Sequence, residues 1–531
     1  MTAAAAHPAR MRATARSRSP GLGSRSSTAP VPAWRVPEQT HAVPIVHAPA
    51  AGPVVARLVL GVGTCDEPVT VAGVAHLVEH LVVRAALPIA APHNAVTQDW
   101  VTAFEIVAAT TEDALGHIRR FADAVQAVLD TSEETVERER RILAREDRLR
   151  YDEMVPSVHT ARFGPAGPGR SGAGAAPVAG VTPAEVREWV EQHLVAGNAI
   201  VTLAGGTLPS ATVDLALPPG PPAAPMPSWT GPMRTAALVE SPLGGLAASV
   251  VVPDHVAPLL EAVLEHEVFD ALRMDAGLAY AVDSHSVALD PERAVVVVTA
   301  DADEADTEAA ATIVVETLRR LASSGPDATT IARVDAARAV NAADEVFCAD
   351  VTVTAAALTH LRGLPAPPPA DGPVTQHELD DLRGALRDAL GTLVLCVDQD
   401  ADDDFAALAA RHGLAHVDGS AGEPAAERVW FPPRPGAGRS VHRTALLPAF
   451  ADAHLEIVDT RITLRVRGRP SRMIDLAEAA VVGRRGDLGV TVVDGTGNTM
   501  QLRADEWWRG RRTVAAVVRA TPPHLLRDFS Y

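Results

Sequence analysis

Lysine is missing altogether: all 47 basic residues are arginine. With alanine, valine, glycine and proline so abundant, that absence points to GC-rich coding and a high-GC bacterial source. Cysteine is scarce. Cys65, Cys348 and Cys396 are odd in number, far apart and never in a CxxC pair. This excludes a cysteine zinc site and suits a reducing, cytoplasmic compartment. No apolar run approaches the roughly 18 residues a membrane span needs, so none is expected. Positive charge is also short, and the net charge is −19. A nucleic acid or an anionic membrane is therefore excluded as the main partner.

What remains is a globular composition, 47% hydrophobic over 531 residues, enough for about three or four domains. Residues 1–35 carry Arg10, Arg12, Arg16, Arg18 and Arg25 without an acid. They lack a secretory apolar core, and 1–39 reads as a disordered arm. "VVARLVLGVGT" (54–64) alternates like a strand, and 67–87 reads as one buried helix. "NAVTQDWVTAFEIVAAT" reads as a strand or strand pair. Helices are expected over 111–129 and 132–152, the second with Thr131 and Glu134 in capping-box register. A capped helix at "TPAEVREWVEQHL" and a strand at "NAIVTLAGG" close the unit.

A Pro-rich linker, 216–234, breaks the pattern. Beyond it come a strand at "LAASVVV", a helix at 257–277, strands at "YAVDSHSVAL" and "AVVVVTAD", helices at 304–323 and 327–343, and a last helix and strand. Residues 40–215 and 235–415 thus read as a diverged duplication of one α/β unit. From 428 to 531, short strands with glycine turns and a terminal helix predict a small β-rich domain. There Arg461, Arg465, Arg467, Arg469 and Arg472 are read as solvated strand and loop residues, and Trp507 and Trp508 as packing residues.

"GVAHLVEHLV" (73–82) carries the chemistry. His76 and His80 are four apart and share a helix face, so both imidazoles can meet one cation. Zinc takes two such nitrogens, a third protein ligand and a water. Glu79, offset from that face, can take the water's proton. Two hydrogen-bonded core histidines are the alternative.

H-x-x-E-H is the inverted zinc signature. Its surroundings resemble the M16 family of insulinase, pitrilysin and the mitochondrial processing peptidase. "LGVGTCDEPVTVAGVAHLVEH" is similar to the family's approach to its zinc helix, with Glu67 and Gly73 in register. "VERERRILARE" (136–146) resembles the segment that supplies the third ligand. The resemblance implies His76, His80 and Glu146 as zinc ligands, one zinc per chain, with Glu139 behind them; Glu139 or Glu105 stays open as the third ligand. "NAVT" is similar to the edge where Asn94 and Ala95 align substrate backbone. "ALRMDAGLAYAVDS" resembles the Arg-Tyr element, which implies Arg273 and Tyr280 at the substrate carbonyl and oxyanion. "LVVRAALPIAAPH" lacks the family's extra helix between the site and the edge strand.

The resemblance covers about 40–415. It implies an α+β protein of two tandem M16-type units, each a mixed sheet packed by helices, with the β-rich domain, PH-like, behind. It implies a zinc endopeptidase acting on peptides as a homodimer or as a heterodimer with a homologous M16 subunit. Two α/β units are half of the family's four-domain clamshell, so Arg273 and Tyr280 are expected to reach the site across a chain interface. A non-catalytic partner subunit with a vestigial site is the competing reading, and a structural zinc site the third.

Overall fold

The computed structural model describes residues 41–149, 154–173, 177–222, 224–241, 243–366, 372–398, 401, 404–417, 423–425, 439–442, 453–466, 471–497, 499–507 and 509–528. The N-terminal arm, Arg467, Arg469 and Trp508 lie outside them.

The first sheet is built from β1 (His41–Ala48), β2 (Val54–Leu60), β3 (His93–Thr97), β4 (Thr102–Ala108), β5 (Ala199–Ala204) and β6 (Thr212–Leu215), in the order β3-β4-β2-β5-β1-β6. The second uses β7 (Ala237–Ser241), β8 (Leu246–Pro253), β9 (Val282–Ala288), β10 (Arg293–Ala300), β11 (Val394–Asp398) and β12 (Ala415–Val417), ordered β9-β10-β8-β11-β7-β12. Replacing each strand of the first half by its counterpart in the second reproduces this order. The pairing sense also matches, β1 with β5 and β7 with β11 being the parallel pairs. The outer strand differs, β6 being antiparallel to β1 and β12 parallel to β7.

Strand side chains alternate between faces. Val54, Ala56, Leu58 and Leu60 of β2 point to a core shared with α1 (Val74–Ala86), α2 (Thr111–Val128) and α5 (Pro183–His193). In the second half, Leu246, Ala248, Val250 and Val252 of β8 do the same beneath α6 (Ala257–Phe269), α7 (Thr307–Ser324) and α10 (Gln376–Ala389).

The opposite faces are covered by exchange. Helix α4 (Met154–Phe163), encoded in the first half, lays Val158, Ala161 and Phe163 on Val239, Ala247, Val251, Val295 and Cys396 of the second sheet. Helix α9 (Glu345–Arg362), encoded in the second, lays Ala349, Val353, Ala357 and Leu361 on Val59, Ala103, Ile200 and Ala204 of the first. Each ends in a buried arginine. Arg162 donates from Nε to Ser249 Oγ at 3.1 Å and also reaches the Ser249 carbonyl oxygen from Nη2. Arg362 donates to Gly61 O (3.0 Å) and Asp66 Oδ1 (2.9 Å) and stacks over Trp100, whose indole donates to Ala288 O. The Pro-rich linker is pinned to this clasp, with Met226 N donating to Arg362 O at 2.7 Å.

Several sequence expectations need correction. Helix α1 begins at Val74 and not near 67: Val69–Val71 is a separate 3-10 turn, and Gly73, at φ 88°, is left-handed. The helix after 130 is capped by Ser132, whose Oγ accepts from Thr135 N, rather than by Thr131; α3 spans Glu133–Leu149. Helices α4 and α9 were not anticipated. Val69–Ala86 is apolar enough over 18 residues to pass for a membrane span by length and composition, but 56% of it is buried within the protein.

The C-terminal region is β-rich, with a five-stranded and a four-stranded sheet and α12 (Gly510–Ala520). Trp507 lies in its core. Arg461 pairs with Asp475 and Arg465 with Glu456. The region seats Val481 and Val493 against Val69, just ahead of α1, and Arg527 pairs with Glu185 at 3.0 Å.

Candidate metal centre

The start of α1 is fixed by a buried acid. Glu67 accepts from Gly73 N at 2.7 Å and Ala75 N at 2.8 Å, supplying partners for helix-terminal donors that have none within the helix. Burial pushes its carboxyl up to about 7, against the pull of these two N–H groups and Arg170. A side chain at Gly73 would strike Val178 at 2.9 Å, so both space and backbone angle require glycine there.

From this anchored start, His76 and His80 project one turn apart toward α3. Their ring centroids are 4.8 Å apart, with planes at 84°. Glu146 meets them: its Oε2 is 3.9 Å from His76 Nε2 and 3.4 Å from His80 Nε2. One ligand atom from each residue falls within 4.8 Å of the others. Tetrahedral zinc with bonds of about 2.0–2.1 Å needs ligand atoms about 3.3 Å apart, so the three side chains fit such an ion after small adjustments. The donor set, two imidazoles and a carboxylate, is one that zinc accepts with a position left open.

Glu139, two turns before Glu146 on α3, approaches the other ring nitrogen, His80 Nδ1, at 3.6 Å. Glu105 is elsewhere: it accepts from Arg57 Nε at 2.8 Å on the neighbouring strand. Burial pulls the His80 imidazole down, but Glu146, Glu79 and Glu139 outweigh it and hold His80 above the ordinary histidine value. The field that favours a proton there also favours a metal cation.

Glu79 is not one of the three converging ligands and is 7% exposed. Its Oε2 accepts from Thr97 Oγ1 at 2.8 Å, which ties the helix to β3. β3 is an edge strand of its sheet, with Asn94 opposite Glu105 and Ala95 opposite Phe104. No helix intervenes between Ala86 and His93. Arg273 and Tyr280 sit together in the second half. Arg273 stacks 4.5 Å over the Tyr280 ring and donates to Tyr280 O, while Tyr280 is 75% exposed. Arg273 also lies 5.1 Å from the Phe269 ring, and Tyr280 N donates to Asp301 Oδ1 at 2.7 Å.

Two residues around this centre went unnoticed in the sequence. Arg84 was legible, since four residues beyond His80 is the same helix face. Thr97, 18 residues from Glu79, was not.

The overall fold also occurs in solved structures. The peptidase M16 inactive domain of Pseudomonas fluorescens superposes with a TM-score of 0.53 at 15% identity, covering 68% of this chain and 97% of that one. The chain has the M16 peptidase fold. A chain of Complex III2 from Candida albicans matches at TM-score 0.52 and 13% identity, over 69% of this chain and 96% of its own. A protease from Helicobacter pylori matches at 0.50 and 16%, over 67% and 99%. No family model and no curated protein matches the sequence. The fold is therefore shared with chains only 13–16% identical to this one.

Proposed function

We propose that this chain is a zinc-dependent endopeptidase acting on peptides or unfolded segments. One observation carries the reading: His76, His80 and Glu146 converge, while Glu79 stands beside them, off the ligand set and held by a hydroxyl. Zinc held there supplies Lewis-acid polarisation of water and of a substrate carbonyl. Glu79 takes the proton of the attacking water and passes it to the leaving amine. Asn94 and Ala95, on the β3 edge, pair with an extended substrate by strand addition. Arg273 and Tyr280 donate to the developing oxyanion.

The exposure of Tyr280 supports a site completed between two chains, either identical or homologous. In that arrangement a Glu79→Gln chain mixed with a Tyr280→Phe chain regains part of the activity. No rescue in a verified mixed dimer excludes it. For the chemistry itself, zinc per chain and cleavage of a quenched peptide library are compared in wild type and Glu79→Gln. Zinc near one per chain with cleavage lost in the variant supports the reading. A zinc-free wild type that still binds a partner points instead to a non-catalytic M16-like subunit.

A further inference from the structure

Helix α1 ends in a cation that faces the metal centre from behind. Arg84 Nη1 donates to Glu139 Oε1 at 2.8 Å. The other carboxylate oxygen, Oε2, is the one 3.6 Å from His80 Nδ1. Glu139 is 5% exposed at its side chain, and among the described residues its polar partners are Arg84 and His80. His80 thus has one carboxylate at each ring nitrogen: Glu139 at Nδ1, and Glu146 at Nε2, 3.4 Å away.

The two nitrogens are not equivalent. A neutral imidazole carries its proton on one of them and a lone pair on the other. A carboxylate at Nδ1 draws the proton there and leaves the Nε2 lone pair for a cation. This works only while the Glu139 carboxylate is turned the right way and stays ionised. A glutamate has three side-chain torsions, and the weak 3.6 Å approach to His80 does not fix them. The short charge-assisted bond from Arg84 does.

We propose that Arg84 is a positioning residue of the metal centre. By clamping one oxygen of Glu139 it aims the other at His80 Nδ1, fixing the tautomer in which His80 Nε2 is free to bind metal. This rests on reading His76, His80 and Glu146 as a zinc site. The Arg84 contact is made through a single nitrogen, so an ammonium group can replace the guanidinium, whereas a neutral side chain of similar length cannot.

The test is zinc affinity of the full chain, read by competition with a chromophoric chelator, with zinc alone as the ligand. Loss of a group that orients a metal-bound histidine typically weakens binding about 10- to 100-fold. Arg84→Met is expected to lose about tenfold, Arg84→Lys to recover most of it, and the Arg84→Met, Glu139→Gln double variant to bind no more weakly than Glu139→Gln alone. Thermal melts of the zinc-free proteins establish that each variant is folded; should Arg84→Met fail to fold, Arg84→Lys and Glu139→Gln carry the comparison. Tight wild-type binding with unchanged affinity in Arg84→Met overturns the proposal alone, as does full additivity in the double variant. A wild type that binds no zinc overturns the site reading and this inference with it.

Discussion

Helices α1 and α6 occupy the same place in the two halves, following the second strand of matching sheets, but their polar side chains have different partners. In α6, Glu261 accepts from Ser286 on the edge strand, and Glu267 is taken up by Arg320 and by Asp327 N. His266 is held below the ordinary histidine value by burial and by Arg333. In α1 the acids of a third helix gather around two imidazoles, and His80 is held above that value. The sheets and their cores are indifferent to this contrast. The fold requires apolar alternation and a helix across it, and the proposed chemistry rests on a few polar positions that the fold leaves unconstrained.

The largest effect expected from testing this contrast is at the paired acids. Glu79→Gln should lower peptide cleavage by about a thousandfold with zinc retained, in keeping with the 10²–10⁴ of a positioned base. Glu261→Gln, at the other helix, should leave turnover unchanged. Equal loss from both would remove the proposed functional difference between the halves.

Next come the arginines that join the halves. Arg362→Met removes the donor to the Gly61 carbonyl and to Asp66 Oδ1. Because Asp66 is partly exposed, the cost should be about 3 kcal/mol, read as a lowered denaturation midpoint. A loss below about 0.5 kcal/mol would mean that the clasp is only a contact.

The entry to α1 has a pH signature. Glu67 is raised from 4.5 to about 7 in the folded protein. The folded state therefore holds a proton that the unfolded state has released, and stability present below about pH 4.5 is lost as pH rises through about 7. Relative to Glu67→Gln in chelator, wild type should lose about 2 kcal/mol between pH 5 and 8. Parallel stability curves would show that the two backbone donors keep Glu67 ionised throughout.

The smallest effect separates the hydroxyls. Thr97→Val removes the donor to Glu79 and should lower turnover about tenfold, with Thr97→Ser close to wild type. Ser286→Ala, the matching change beside α6, should leave turnover alone.

Much of this was legible in the sequence, for identifiable reasons. The alternation of "VVARLVL" and "LAASVVV" gave strands because one residue in two faces a core. Thr182 and Glu185 form the capping box their spacing announces. The triad's first two members follow from a single helical turn, and Glu146 required a family pattern because α3 meets α1 only in three dimensions. The start of α1 was misplaced because Glu67 and Gly73 end a turn in a stretch as apolar as the helix itself. Helices α4 and α9 were missed because their apolar faces match no strand nearby in sequence. Each completes the other half's sheet.

That exchange limits how the polypeptide can be divided. A gene cut at the proline-rich linker would yield two products, each carrying a helix that belongs on its sibling and each presenting a bare sheet face, Val59 and Ile200 on one and Val239 and Val297 on the other. Neither product is expected to stay soluble when made alone, whereas coexpression should let them reassemble. The linker is the natural boundary by composition and the wrong place for scissors.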